Sequence, residues 1–258
     1  MRIFDTNWLF ENFGGTIIAS SGTGQFAFDE DSQFDWVSAG EATDGDAIFL
    51  TRTLESTSPI DSIFIKETNI NNITIEVDVG AGFVALSDFT LTKSDDGMNY
   101  YYRLGSSINI DAIKLIGSNT ITANEEKTVA QFLAFEELGQ IKNIDTIDAK
   151  IKRVQKVSKL NSGKKDIINK GRYFEFVLGF KTHYRSADNA IIETLLDRDD
   201  AMWLWINDDM ENVQLMSQQP FRFQDIYKVS IEKDNGVKYT NNLFFSGMDI
   251  KLKLTEVA

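Results

Sequence analysis

Apolar and polar residues alternate in short runs through the first half of this chain, and Gly, Asn, Asp or Ser interrupts the pattern at close intervals. A period of two places one face of each run in a core and the other in water, as an antiparallel strand requires. The clearest runs are Ala47-Ile48-Phe49-Leu50, Ser62-Ile63-Phe64-Ile65, Ile73-Thr74-Ile75-Glu76-Val77, Asn99-Tyr100-Tyr101-Tyr102-Arg103-Leu104, Ala112-Ile113-Lys114-Leu115-Ile116 and Val129-Ala130-Gln131-Phe132-Leu133-Ala134-Phe135. No helical segment of about 10–15 residues separates them, so the connections do not suit a parallel α/β sheet. Six or more such strands need two sheets, and a sandwich is expected over 1–140.

The second half, 141–258, opens on a segment whose Ile and Val residues recur roughly every third position through residue 154, which assigns neither helix nor strand. Residues 159–166 have turn composition and predict an exposed loop. Arg172-Tyr173-Phe174-Glu175-Phe176-Val177-Leu178-Gly179-Phe180 reads as a strand from its aromatic and branched content. Ser186 as N-cap, with apolar positions at 191, 192, 195 and 196, predicts one helix over about 187–197. Strand patterning returns in four runs after residue 201, and Lys233-Asp234-Asn235-Gly236 predicts a hairpin turn. The class expected is mainly β throughout: an N-terminal sandwich, then a β-sandwich or barrel with one helix.

Charge divides the chain in the same place. Residues 1–140 hold 7 Lys/Arg against 22 Asp/Glu, net −15, and 141–258 hold 19 against 17, net +2, which together give the formal −13. Within 142–172 there are 10 Lys/Arg against 3 Asp. Opposed charge on one chain favours head-to-tail contact between copies. Lys159, Lys164, Lys165, Lys170 and Arg172 are therefore the candidate assembly interface, with a homo-oligomer expected. The acidic balance argues against a nucleic-acid partner except through the basic stretch, and none is expected. No run approaches the ~18 apolar residues of a membrane span, the N-terminal residues lack the apolar run of a signal peptide, and the absence of cysteine excludes disulfides and thiolate ligands.

Catalytic chemistry finds little to build on. His183 is the only histidine, which excludes a histidine-rich metal site, and no nucleophile turn accompanies it. Gly22-Thr23-Gly24 and Gly80-Ala81-Gly82 are not followed by helical patterning and read as turns rather than nucleotide-binding loops. No catalytic residue, metal site or cofactor is expected, and the chain is not expected to be an enzyme. Asp44, Asp46, Asp95 and Asp96 lie beside glycines in loops without calcium-loop spacing, and are candidates for loops that meet a sugar or a partner. Trp36 is expected in the core.

Asp35-Trp36-Val37-Ser38, Asp46-Ala47-Ile48-Phe49-Leu50, Ile60-Asp61-Ser62-Ile63-Phe64-Ile65, Tyr101-Tyr102-Arg103-Leu104 and Ile113-Lys114-Leu115-Ile116 together resemble the galactose-binding-like, discoidin-type jelly-roll sandwich, over about half the chain. That resemblance implies binding of sugars, lipids or proteins through variable loops. The strand 172–180, the helix, Pro220-Phe221-Arg222-Phe223-Gln224-Asp225-Ile226-Tyr227 and the ending from Ser246 resemble the domain that builds rings in bacteriophage tails, as in tail tube, distal tail and baseplate hub proteins. This second resemblance implies a virion structural component of a tail tip, baseplate or related contractile particle. Such a component forms a ring through its C-terminal domain, contacts other tail or baseplate proteins and is assembled in the host cytoplasm. The alternative is a soluble carbohydrate-binding module or adhesin, with a glycan as partner.

Overall fold

The computed structural model describes residues 1–11, 14–30, 34–141, 144–159, 165–183, 187–198, 200–205, 226–231, 236–241 and 246–256. The protein is mainly β. Its chain contacts divide it into two compact units, one with Phe4–Glu137 and the other with Met1–Ile3, Leu138–Asp208 and Asp225–Ala258. Sequence patterning puts the change near residue 140, and the chain passes into the second unit at 137/138. The short strand β1 (Arg2–Phe4) lies between two strands of the second unit's sheet, so the sandwich is topologically an insertion near the start of the chain.

The sandwich begins with a single helical turn, α1 (Trp8–Glu11), which sequence patterning does not anticipate. It continues with β2 (Ile17–Ala19), a 3-10 turn at Gly24–Ala27 and β3 (Trp36–Val37). Then come the long β4 (Ile48–Thr68), β5 (Ile70–Asp78), β6 (Phe83–Ala85), β7 (Phe89–Lys93), a second long strand β8 (Tyr100–Thr120) and β9 (Thr128–Phe135). The sequence reads β4 and β8 as two strands each. They run through because each carries its extra residues as a bulge: the β4–β8 register shifts between Thr53 and Ser58 and again between Ile60 and Ser62. A bulge bends and twists a strand without ending it. Pro59, at this irregularity, fits the rule that proline enters sheets at bulges or edges.

Each long strand therefore serves both layers. The first half of β4 pairs with β2 and with the second half of β8, which pairs in turn with β5. The second half of β4 pairs with β9 and with the first half of β8, which pairs with β7. Ile48, Leu50, Ile63, Ile65, Ile113 and Phe132 meet in the core. Trp36 is fully buried there, and its indole N–H donates to Ser21 O at 2.9 Å. Arg52 is buried too, its guanidinium donating to Leu9 O at 2.9 Å and Gly15 O at 3.0 Å, which ties α1 and the loop after it to β4. Gly15 is required at that crossing, since a Cβ there would lie 1.8 Å from Thr53 O.

Residues of β4 that alternate with Ile63 and Ile65 carry a second buried cluster. Phe64 stacks on Tyr101 at 4.5 Å and meets Phe4 and Phe135 edge-on at 5.4 and 5.8 Å. Lys66 shares this row, and burial pushes its ammonium pKa below the ordinary lysine value.

In the second unit, β10 (Glu137–Gln140) is followed by β11 (Ile144–Lys159) and β12 (Lys165–His183). The helix α2 (Ala187–Leu196), β13 (Met202–Trp205), β14 (Ile226–Ile231), β15 (Gly236–Asn241) and β16 (Ser246–Glu256) complete it. The sheet order is β10-β1-β13-β14-β16-β12-β11, with β15 also on β16. The segment from 141 that gives no periodicity is thus largely a strand, and the single expected helix is α2. Its proposed cap, Ser186, lies outside the described residues. Ile192 and Leu195 of α2 join Met1, Ile3, Leu178 and Leu204 in the core. Of the expected turn Lys233-Asp234-Asn235-Gly236, the first three residues lie outside the described residues; among the described residues β14 and β15 each pair with β16, at 254–256 and 246–251.

Replacing Trp36 with Ala removes a fully buried indole and should destabilise the sandwich by ~3–5 kcal/mol. Calorimetric unfolding of wild type and variant measures this, and an unchanged melting profile would place the ring outside the core.

Candidate functional site

Two of the four carboxylates singled out in the sequence, Asp44 and Asp96, hold turns together. Asp44 Oδ1 accepts from the backbone N–H of Asn124 at 3.0 Å, from Thr120 N–H at 3.2 Å and from Thr120 Oγ1 at 2.9 Å. These bonds, Asn124 first, hold its pKa below the ordinary carboxylate value. Asp96 Oδ1 accepts from Ser94 Oγ at 2.5 Å and Met98 N–H at 2.8 Å, and its pKa is lowered likewise, with Ser94 the larger cause. Asp46 and Asp95 are exposed. Among the described residues no three His, Cys, Asp or Glu side chains group as a metal site.

What organises the loop before β4 is a residue that sequence reading passes over. The Lys127 side chain is 0% exposed. Its ammonium donates to Glu41 O and, at 2.7 Å, to Thr43 O. Glu126 grips the same loop from outside, accepting from Ser38 Oγ at 2.6 Å, Gly40 N–H at 3.1 Å and Glu41 N–H at 3.3 Å, which lowers its pKa. Lys127 attracts both Asp44 and Glu126 and depresses their pKa values further. The pair Glu126-Lys127 thus satisfies backbone donors with a carboxylate and backbone acceptors with an ammonium, two charge-assisted sets facing one loop. Adjacent opposite charges in a polar turn carry no sequence signal that separates this role from ordinary solvation.

A different edge combines exposed apolar surface with polar groups in fixed positions. The sequence Asp78-Val79-Gly80-Ala81-Gly82-Phe83 closes the β5–β6 hairpin, with Asp78 Oδ1 accepting from Gly80 N–H at 2.8 Å and Gly82 N–H at 2.9 Å. Both glycines have φ in the left-handed region, at +97° and +94°, which most side chains resist. The turn delivers Phe83 to the end strand of the sheet, where its ring is 41% exposed. On the same face, cross-strand partners Glu76 and Lys114 form an ion pair at 2.9 Å. The Lys114 ammonium lies 5.5 Å from the Phe83 ring centroid, within cation–π range. Val79 and Val84 are also exposed here. A ring with a partly exposed ammonium–carboxylate pair can take an apolar face and several hydroxyls from one ligand. The other exposed ring pair, Phe26 and Phe34, stacks on itself at 5.8 Å, so each ring occupies one face of the other.

Of the basic interface candidates, Lys159 ends β11, and Lys165, Lys170 and Arg172 lie in β12. Lys164 lies outside the described residues. His183 is the last residue of β12, opposite Gly247.

Lys127→Met should cost about 1–3 kcal/mol for each carbonyl left without a donor, read as a lowered unfolding midpoint of the sandwich. Asp44 and Glu126 have folded pKa values depressed below ordinary values of 3.8 and 4.5. Their contribution is complete above those values and is lost as pH falls below them. Asp44→Asn should therefore cost stability at neutral pH and progressively less toward pH 3, in thermal melts across that range. A cost independent of pH would remove the carboxylate from this role.

No protein-family model matches the chain, and no curated protein does. Solved structures resemble it over about half its length at low identity. The chitosan-binding module 1 from a chitosanase/glucanase of Paenibacillus sp. IK-5 is 17% identical, with a TM-score of 0.41, and covers 51% of this chain and 99% of its own. The family 32 carbohydrate-binding module of Clostridium perfringens NanJ, in complex with galactose, is 15% identical with a TM-score of 0.42, over 53% of this chain and 100% of its own. A Ruminococcus gnavus GH29 fucosidase in complex with fucose is 15% identical with a TM-score of 0.40, over 51% of this chain and 27% of its own.

Proposed function

We propose that the acidic sandwich is a non-catalytic carbohydrate-binding module. The observation that carries this reading is the Phe83 ring, held at the sheet edge by the Asp78 turn beside the Glu76–Lys114 pair. A pyranose has one apolar face of C–H groups and a rim of hydroxyls. Phe83 offers area to the former, and Glu76 and Lys114 offer an acceptor and a donor to the latter. The turn bonds fix the ring before ligand arrives, which lowers the ordering cost of binding. Nothing in these comparisons supports the tail or baseplate role expected from the second half, and the sandwich-centred alternative is the reading adopted.

A glycan array probed with the full chain should show selective retention. Phe83→Ala should weaken binding at least about tenfold while shifting stability by no more than about 0.5 kcal/mol, because the ring is partly exposed. Glu76→Gln keeps the shape and should weaken binding with altered selectivity among hydroxyl patterns. Retention that survives Phe83→Ala, or an array without a selective signal, would end this assignment.

A further inference from the structure

The β11–β12 hairpin continues beyond the sheet that roots it. β12 pairs with β16 from Glu175 to His183, whereas β11 and β12 pair with each other on to Lys159↔Lys165. Among the described strands, the stretch from Ile151↔Phe174 to Lys159↔Lys165 has no third strand. At ~3.4 Å per residue the ribbon is about 30 Å long, and a two-stranded ribbon is marginal by itself in water.

Its charge adds to the difficulty. Residues 151–174 carry 8 Lys/Arg and 1 Asp, net +7. The register sets Arg153 opposite Arg172 and Lys159 opposite Lys165, and like charges directly across a ladder repel. Residues 4–137 carry 6 Lys/Arg against 22 Asp/Glu, net −16. We propose that this basic ribbon docks on the acidic sandwich of a second copy of the chain. An anionic surface relieves the cross-strand repulsion and adds contacts to a ribbon whose outer edges lack strands. Because ribbon and sandwich are different surfaces, the contact is heterologous and either closes into a ring or extends as a filament. Edge lysines also serve to keep strands from pairing with other chains, and that role predicts a monomer at every ionic strength.

Sedimentation velocity of the full chain separates the two. Association is expected at about 50 mM salt and should weaken by about tenfold or more at about 500 mM, where charges are screened within a few ångströms. The triple variant Lys165→Glu, Lys170→Glu, Arg172→Glu should be monomeric at both, with unchanged circular dichroism and a melting temperature equal to or above that of wild type, because the Arg153–Arg172 and Lys159–Lys165 cross-strand pairs become opposite in charge. Since this variant keeps its acidic sandwich, it should still add to wild-type chains and cap their growth. A wild-type monomer at low salt, association indifferent to the triple reversal, or a ribbon that retains heparin or duplex DNA without self-association would each overturn the proposal.

Discussion

The ladder between β4 and β8 is the constraint on which the sandwich depends. It runs from Ile48↔Gly117 to Ile65↔Tyr100 and crosses from one layer to the other at two bulges. Because both strands serve both layers, the layers cannot slide independently, and the side chains of Ile48, Leu50, Ile63 and Ile65 are brought to one core. A shift of one residue in either half would turn that half's apolar set outward. The bulges let the two halves hold separate registers while remaining one strand.

Around that frame, charge is used mainly to close loops. Asp44, Asp96 and Glu126 accept backbone N–H groups, and Lys127 donates to backbone carbonyls. In short connections many backbone groups lack strand partners, and a nearby ionised side chain satisfies them with stronger bonds than water supplies net. The acidic surplus of the first unit is partly accounted for by this work. The ammonium of Lys127 also bears on Asp44 and Glu126, so the loop before β4, the end of β8 and the start of β9 share one electrostatic site.

The functional reading rests on a contrast between these satisfied groups and the edge at Phe83. There the carboxylate and ammonium pair with each other and keep a quarter of their side-chain surface in solvent, beside a ring that packing leaves open. Groups already committed to several backbone donors have little capacity left for a ligand. A simple ion pair can exchange its partner for hydroxyls at small net cost, because exposed pairs are worth little.

Period-two patterning and closely spaced turn residues determined the mainly β class. The spacing of residues 191, 192, 195 and 196 determined α2, and composition determined the contrast in charge between the two halves. Local chain chemistry suffices for these, since strand and helix periodicities and turn preferences act over a few residues. Tertiary structure decided what depends on partners distant in sequence. It joined 48–54 to 58–68 as one strand, drew β1 into the sheet of the second unit, and bonded the carboxylates of Asp44 and Asp96 to backbone N–H groups of nearby turns. It also buried Lys127 and left Phe83 at an edge beside Lys114 and Glu76. The sequence shows a Lys, a Phe and a Glu with equal plainness wherever they occur. Whether each meets a carbonyl, a core or water is settled only when strands some tens of residues apart come into register.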